Sequence, residues 1–230
     1  MIVLLAARHD AAARRLADGW PARGALVLTS DDLCSSGWRY ELSSPALGTA
    51  VVGGRKVPVG EIEGVITRLP AIPAEDLDLI VGNDREFVAA EMTAFLAAWL
   101  NSLECPVVNR PTPTCLMGPN WRPEEWLAAA AALGIPVRPA ARHVRLSHRY
   151  TPMKPSTQLK TITVIGERCV GATDEAQQIS ARRLATRAGV EFRAAHFDGS
   201  ELVAADLWPD INSHYVNFAL MEFFAARQSA

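Results

Sequence analysis

The first third of the chain places continuous apolar runs on either side of a helical pattern. Residues 2–7 and 25–29 are apolar runs, and an alanine- and arginine-rich helix is predicted between them at residues 11–19. A strand, helix, strand order is typical of a parallel pair joined by a crossover. Residues 64–69 form another apolar run, and its last polar residue is Arg68. The pattern therefore predicts an open α/β sheet.

A meander and a long helix are predicted in the rest of the first half. Residues 38–42 and 49–52 are interpreted as meander strands, with a turn at Gly53 and Gly54. Residues 85–100 predict a helix whose apolar positions recur at helical spacing, so that one face packs against the sheet. The residues of that face are Phe87, Val88, Met92, Phe95, Leu96 and Leu100.

The second half predicts two strand pairs separated by a helix. Pro123 opens a helix that Gly134 ends, and Asp198, Gly199 and Ser200 form a hairpin signal. The remaining predicted elements are strands 159–166 and 168–172, helix 175–188, strands 190–197 and 201–207, and helix 213–226.

Polar side chains gather at the carboxyl ends of predicted strands, where open α/β sheets place their ligands. Ser30, Asp31 and Asp32 follow the second apolar run, although the same residues also suit the cap of a short helix. The last strand ends in the sequence DLWPDIN at 206–212, which brings acidic and amide groups together. Both places are candidates for a ligand site.

Composition argues against several classes of function. The 230 residues are 49% hydrophobic and carry a formal charge of −2, which indicates a globular protein of one large or two small domains. Without a clustered cationic excess, general binding to nucleic acid is not expected. No apolar run has membrane-spanning length and no basic leader precedes the first strand, so we expect a cytoplasmic protein without a membrane partner. The 4 cysteines and 5 histidines show no metal-ligand spacing.

One stretch departs from this charge balance. From residue 126 to residue 166 the chain contains no Asp or Glu, which predicts a local surface that attracts anions. Its cations are Arg138, Arg142, Arg145, Arg149, Lys154 and Lys160, with His143 and His148 beside them. A small anionic ligand, an acidic peptide or a protein partner suits such a surface.

Several motifs, taken in order, resemble the ATP-grasp superfamily, specifically the RimK-like glutamate ligases and the ligases that cyclise microviridin-type peptides. Arg68 at a strand end and DREFVAAE at 84–91 are similar to the family's preATP-grasp domain. VNRP at 108–111 is similar to its next strand, but Trp121 stands where the family has a lysine. LKTITVIGER at 159–168 resembles the family strand that carries L-R-x-x-V-V-G-D-R.

The closing strand resembles the family's D-G-x-x-x-F-L-E-V-N-P, in which the Glu and the Asn bind magnesium and triphosphate. One register puts Asp206 at the Glu and Trp208 at the Asn, and the other puts Asp210 and Asn212 there. The family's earlier metal-binding Asp falls near His196. His196, Asp206 and Asp210 are therefore the catalytic candidates, with Asp206 and Asp210 as metal ligands if ligase chemistry is retained. The candidates for ligand or anion binding are Arg68, Arg138, Arg142, Arg145, Lys154, Lys160, Arg168 and Asn212.

The resemblance implies an α/β fold with two parts. A Rossmann-like preATP-grasp domain, residues 1–120, precedes a reduced ATP-grasp carboxyl-terminal lobe, residues 121–230, with a mixed sheet and flanking helices. Between the equivalents of residues 139 and 159 the family holds a whole subdomain that clamps the nucleotide. The segment 140–158 is too short to build that subdomain, so the chain resembles a truncated and degenerate member.

These features favour a protein that is not a competent ATP-dependent ligase and that has no cofactor. We expect a homodimeric binding or accessory subunit of a peptide- or amino-acid-modifying system, with a peptide, protein or small anionic partner. The alternative is an active enzyme. In one version, a carboxylate-amine ligase using Mg and ATP is completed across a dimer by Lys154, Lys160 and Arg168. In another, His196 acts as an acid or base in a repurposed pocket.

Overall fold

The computed structural model describes residues 1–139, 159–171 and 174–228. Its strands are β1 (Ile2–Ala6), β2 (Leu26–Leu28), β3 (Thr49–Val52), β4 (Arg55–Pro58), β5 (Gly64–Arg68), β6 (Val107–Val108), β7 (Lys160–Ile165), β8 (Arg168–Val170), β9 (Phe192–Asp198) and β10 (Glu201–Asp206). Its α-helices are α1 (Ala11–Asp18), α2 (Ser30–Leu33), α3 (Arg85–Ser102), α4 (Pro123–Ala132), α5 (Glu175–Ala188) and α6 (His214–Gln228). The predicted α/β class is confirmed.

A parallel sheet in the order β2, β1, β5, β6 forms the centre of the first half. All residues of β1 are buried, and Leu4 lies between Val27 of β2 and Ile66 of β5. The carboxylate of Asp10 accepts hydrogen bonds from two backbone N–H groups in the first turn of α1. The predicted parallel pair with its helical crossover is confirmed.

Asp32 is the third residue of α2 and completes a capping box with Thr29. The N–H of Thr29, the residue before α2, donates to Oδ2 of Asp32 at 2.9 Å. Oδ1 of Asp32 accepts a hydrogen bond from the N–H of Gly54 at 2.7 Å, which ties α2 to the β3–β4 hairpin. The short helix expected at residues 30–32 is therefore confirmed, but its cap residue is Thr29, and residues 30–32 lie within the first turn.

Two details predicted for the first half are wrong. The segment 38–42 is not a strand, and it contributes a single bridge between Arg39 and Thr49. The Trp38 ring instead packs edge-on against Trp99 of α3, with 5.3 Å between ring centroids. Phe87 of α3 is 69% exposed, because the buried face of that helix is centred on Leu96 and Trp99. Helical spacing predicted the helix correctly, but it did not predict which of the helix's apolar residues are buried.

The second half is built on an antiparallel sheet in the order β10, β9, β7, β8. One face packs with α4 and α5 around a core that includes Ile162. The other face contributes Ile165 and Phe192 to a core shared with Leu4 of β1 and Leu220 of α6. This shared core joins the two halves, and the division at residues 120 and 121 stays a prediction. None of the helices in the described ranges is long and apolar enough to cross a membrane.

Asn109 connects the halves at the point where β6 ends. Its Oδ1 accepts hydrogen bonds from the N–H groups of Glu191 and Phe192, both at 2.9 Å. Its Nδ2 donates to the carbonyl oxygen of Phe192 at 2.5 Å. Asn109 has a φ of 55°, in the left-handed region that Asn tolerates better than most residues. The Asn of the VNRP motif thus fixes the start of β9 against the parallel sheet.

Candidate functional site

The polar residues at the end of β10 bond to the neighbouring strands. Nε2 of His196 on β9 lies 2.9 Å from Oδ2 of Asp206, and Nδ1 of His196 lies 3.0 Å from the hydroxyl of Thr161 on β7. Thr161 and His196 are cross-strand partners, so their side chains project from the same face of the sheet. The three side chains form a continuous row of hydroxyl, imidazole and carboxylate.

Asp206 uses both of its carboxylate oxygens within the chain. Oδ1 accepts a hydrogen bond from the backbone N–H of Trp208 at 2.8 Å, while Oδ2 meets His196. Burial raises the pKa of Asp206, but the hydrogen bonds from His196 and Trp208 and the nearby charge of Arg193 outweigh it. The pKa of this carboxyl therefore lies below its ordinary value. Asp206 is an anion at neutral pH.

Arg68 ties the parallel sheet to the segment that follows β10. Its Nε donates to Oδ2 of Asp10 at 2.8 Å, and the two side chains are only 11% and 13% exposed. Its guanidinium carbon lies 5.4 Å from the centroid of the Trp208 ring, which is a cation–π contact. Its Nη1 lies 3.4 Å from the carbonyl oxygen of Pro209. The strand-end position predicted for Arg68 is confirmed, and its partners are groups of this chain.

Asp210 and Asn212 form a second polar cluster. Oδ1 of Asp210 accepts hydrogen bonds from the backbone N–H and the side-chain amide of Asn212, at 2.9 and 3.0 Å. Oδ1 of Asn212 in turn accepts from Nε and Nη2 of Arg15 on α1, at 3.1 and 2.9 Å. The amide oxygen of Asn212 therefore faces a cation of the first half.

No family model and no curated protein sequence matches the chain, whereas solved structures do. Macrocyclase MdnC from Microcystis aeruginosa MRC, bound with precursor peptide MdnA, aligns over 98% of this chain and 100% of that chain with a TM-score of 0.63 and 13% identity. ATP-grasp ligase PsnB, complexed with a phosphomimetic variant of minimal precursor, Mg and ADP, aligns over 99% and 98% with a TM-score of 0.66 and 13% identity. This chain has the ATP-grasp fold.

A third structure with the ATP-grasp fold extends the comparison. The RimK domain protein ATP-grasp from Sphaerobacter thermophilus DSM 20745 aligns over 98% of this chain and 100% of that chain, with a TM-score of 0.50 and 18% identity. At these identities the shared property is the fold. The side chains that an ATP-grasp site needs must therefore be judged on this chain itself.

The residues that the sequence resemblance assigns to the metal positions, in either register, do not fit a magnesium ion. In the first register, His196 offers nitrogen in place of a hard anionic oxygen, and the Trp208 side chain has no acceptor atom. In the second register, the amide oxygen of Asn212 accepts two hydrogen bonds from the guanidinium of Arg15. The positive charge of that guanidinium disfavours a metal cation at the same oxygen. Within the described ranges, no cluster of three or more His, Cys, Asp or Glu residues is placed to hold a metal.

The predicted anion-binding residues are dispersed. Nη2 of Arg138 lies 2.5 Å from Oδ2 of Asp198 at the β9–β10 hairpin, and Arg168 pairs with Glu222 of α6. Both cations therefore have acidic partners away from Asp206. Lys160 is exposed at the start of β7, and Arg142, Arg145 and Lys154 lie outside the described residues.

Sequence reasoning missed three residues of this site, which are Thr161, Asp10 and Arg15. Asp10 carried a usable signal, because an Asp directly before an apolar helical pattern is a typical helix cap. Thr161 meets His196 only through the register of β7 with β9. Arg15 contacts Asn212 across 197 positions of sequence, a pairing that no local pattern predicts.

Proposed function

We propose that this protein is a degenerate ATP-grasp protein that is not a competent ATP-dependent ligase. It acts as a binding or accessory subunit of a peptide- or amino-acid-modifying system. The observation that carries the proposal is the His196–Asp206 pair, in which both oxygens of Asp206 are engaged. Phosphoryl transfer from ATP needs magnesium on oxygen ligands and cations around the phosphates. In this chain the expected ligands are replaced or bonded to internal partners.

The partner that we propose is an acidic peptide. MdnC is bound with precursor peptide MdnA and PsnB is complexed with minimal precursor, so peptides bind to this fold in those proteins. In this chain, residues 126–166 contain cations and no acidic residue, which supports an anionic segment as the ligand. A homodimer is the assembly that we propose, and light scattering on the purified protein measures it directly.

Calorimetric titration with magnesium-ATP tests the loss of nucleotide chemistry. We expect no binding tighter than about 1 mM, because His196 and Trp208 interrupt the oxygen ligands of one metal register and the Arg15 guanidinium occupies the amide oxygen of Asn212 in the other. An active ATP-grasp ligase titrated under the same conditions is the positive control. Micromolar binding, or ADP release that depends on this protein, would falsify the proposal.

Fluorescence anisotropy tests the peptide partner separately. A labelled Glu-rich peptide is expected to bind more tightly than a Lys-rich peptide of equal length, and the difference should shrink as salt screens the charges. Replacing Arg142, Arg145 and Lys154 together by Gln should remove the preference. Equal affinity for the two peptides in low salt contradicts an acidic ligand.

The Thr161–His196–Asp206 row favours a second function, which is acid–base chemistry in a repurposed pocket. An imidazole between a hydroxyl and a carboxylate can take up the hydroxyl proton while the carboxylate holds the ring. Hydrolysis of p-nitrophenyl acetate is a direct assay of this chemistry. Activity that His196→Gln and Thr161→Val both abolish supports it, and a rate equal to the buffer background excludes this reaction.

A ligase completed across a dimer is the remaining alternative. It requires Asp206 or Asp210 as a metal ligand. ATP-dependent turnover would therefore have to disappear in Asp206→Asn or in Asp210→Asn. Unchanged turnover in both variants rules this version out.

A further inference from the structure

A cavity of about 780 Å³ lies where the two halves of the chain meet. Its walls include Pro106 at the start of β6, the β7–β8 turn, and residues of α5 and α6. Pro106 precedes β6 and Asn109 and Arg110 follow it, so this strand crosses the cavity wall, and neither His196 nor Asp206 lines the cavity. Its volume falls in the range of small-molecule sites.

The cavity walls carry a small excess of positive charge. Four arginines and three glutamates line it, and two pairs among them neutralise each other. Arg168 pairs with Glu222, and Arg227 pairs with Glu191. The remaining charged side chains are Arg110, Arg182 and Glu167, and Glu167 is exposed at the turn.

Arg182 has more free hydrogen-bond donors than Arg110, the other cavity arginine that pairs with no carboxylate of the described residues. Arg110 donates to the carbonyl oxygens of Leu100, Asn101, Leu103 and Cys105, which hold it against the end of α3. Arg182 donates only from Nη1 to the carbonyl oxygen of Glu167, at a long 3.4 Å. Across the described parts of the chain, Arg182 meets no carboxylate. A guanidinium has five N–H donors in a planar fork, so most of those of Arg182 remain free for an anion.

Apolar side chains line another part of the cavity. Phe223 and Ala219 of α6 and Ala185 of α5 line the cavity, and the guanidinium carbon of Arg227 lies 4.6 Å from the Phe223 ring centroid. An aromatic ring beside alanines offers a surface for a hydrophobic group next to the free guanidinium. A ligand there would contact both halves of the chain.

We propose that this cavity binds a small organic anion, with its acidic group on Arg182 and its apolar body against Phe223. The anionic group is a carboxylate, sulfonate or phosphate, because these match the fork of a guanidinium. The site does not use His196, Asp206 or the metal positions, so it is independent of the proposed function. Its occupant would stabilise the contact between the two halves.

Fluorescence titration with 8-anilinonaphthalene-1-sulfonate tests this site in the full-length protein. We expect one bound probe per chain, and Arg182→Gln should weaken it about tenfold, since a charge-assisted hydrogen bond is lost. Ala226→Trp should block the cavity and weaken the probe to a similar extent. Arg187→Gln is the matched control, because Arg187 lies on the same helix, is exposed and does not line the cavity.

A neutral analogue separates the anionic group from the apolar body. N-phenyl-1-naphthylamine lacks the sulfonate. It should bind to the wild type about tenfold more weakly than the sulfonated probe does, whereas the two probes should bind to Arg182→Gln with about equal affinity. Circular dichroism establishes that each variant folds. If Arg182→Gln and Ala226→Trp bind the sulfonated probe as tightly as the control Arg187→Gln does, the proposal is overturned. A stoichiometry of several probes per chain also overturns it.

Discussion

Nε2 of His196 lies 2.9 Å from Oδ2 of Asp206, where one register of the ATP-grasp resemblance puts a pair of metal-binding acids. Two carboxylates at that distance would repel each other unless a cation lay between them. A neutral or protonated imidazole removes the repulsion and makes the cation unnecessary. In the function that we propose, the pair substitutes a hydrogen bond for a metal bridge.

Restoring the acids should restore affinity for the metal. We expect His196→Asp combined with Trp208→Asn to bind Mg²⁺ about tenfold or more tightly than the wild type, because it supplies hard oxygen ligands beside Asp206. Calorimetry with MgCl₂ measures this directly. His196→Ala is the control, since it breaks the hydrogen bond without adding a ligand. Wild-type affinity equal to that of the double variant contradicts our account of the site.

The Asp10–Arg68 pair should make stability depend on pH on the acid side. Burial raises the pKa of Asp10, but the N–H groups of α1 and the Arg68 guanidinium outweigh it, so the pKa lies below its ordinary value. The stabilisation is thus present above the unfolded-state pKa, about 4, and is lost as the pH falls through the lower folded-state pKa. Denaturant unfolding of Asp10→Asn from pH 5 downward should show a shallower decline than the wild type. An identical slope contradicts this assignment.

Asn109 should contribute to stability through both its side chain and its backbone. Asn109→Ala removes three hydrogen bonds at the junction. It also leaves alanine at a positive φ, where a residue with a Cβ atom is strained and alanine has no side-chain hydrogen bond to offset the strain. We expect a loss of about 2–4 kcal/mol in the free energy of unfolding.

Asn109→Gly is the matched variant, because it loses the same hydrogen bonds while glycine adopts positive φ freely. It should be less destabilised than Asn109→Ala by roughly 0.5–1 kcal/mol in urea unfolding. If the two variants were equally stable, the backbone conformation would not contribute.

Arg193 should be a source of instability. It is fully buried, and its Nη2 donates to the carbonyl oxygen of Ala181 at 2.9 Å. Its Nε and Nη1 have no hydrogen-bond partner among the described residues. Burial lowers the pKa of Arg193 to about 10, and the nearby negative charge of Asp206 offsets only part of that effect. A buried charge with unpaired donors costs more than a well-packed apolar side chain.

Arg193→Met should therefore raise the free energy of unfolding by about 1–3 kcal/mol, since Met fills a similar volume without a charge. Urea unfolding at pH 7 measures the change. Arg187→Met, on the exposed side of α5, should stay within about 0.5 kcal/mol of the wild type. Destabilisation by Arg193→Met would indicate that the guanidinium is required for packing against Trp126, 5.4 Å away.

The sequence by itself determined the order and type of most elements. α5 was predicted at residues 175–188 and is observed as Glu175–Ala188, because Asp174 caps its start and Gly189 adopts the left-handed conformation at its end. The parallel crossover and the β9–β10 hairpin also followed from local patterns. Capping, turn chemistry and periodicity act over a few residues, so a linear reading captures them.

The tertiary structure alone decided which polar groups meet. The Thr161–His196–Asp206 row depends on the register of three strands, and the contact of Arg15 with Asn212 joins residues near opposite ends of the chain. It also decided that Phe87 faces solvent while Arg193 is enclosed. These outcomes result from the packing of several elements at once, and hydrogen-bond geometry over a few ångströms is not encoded in any single segment.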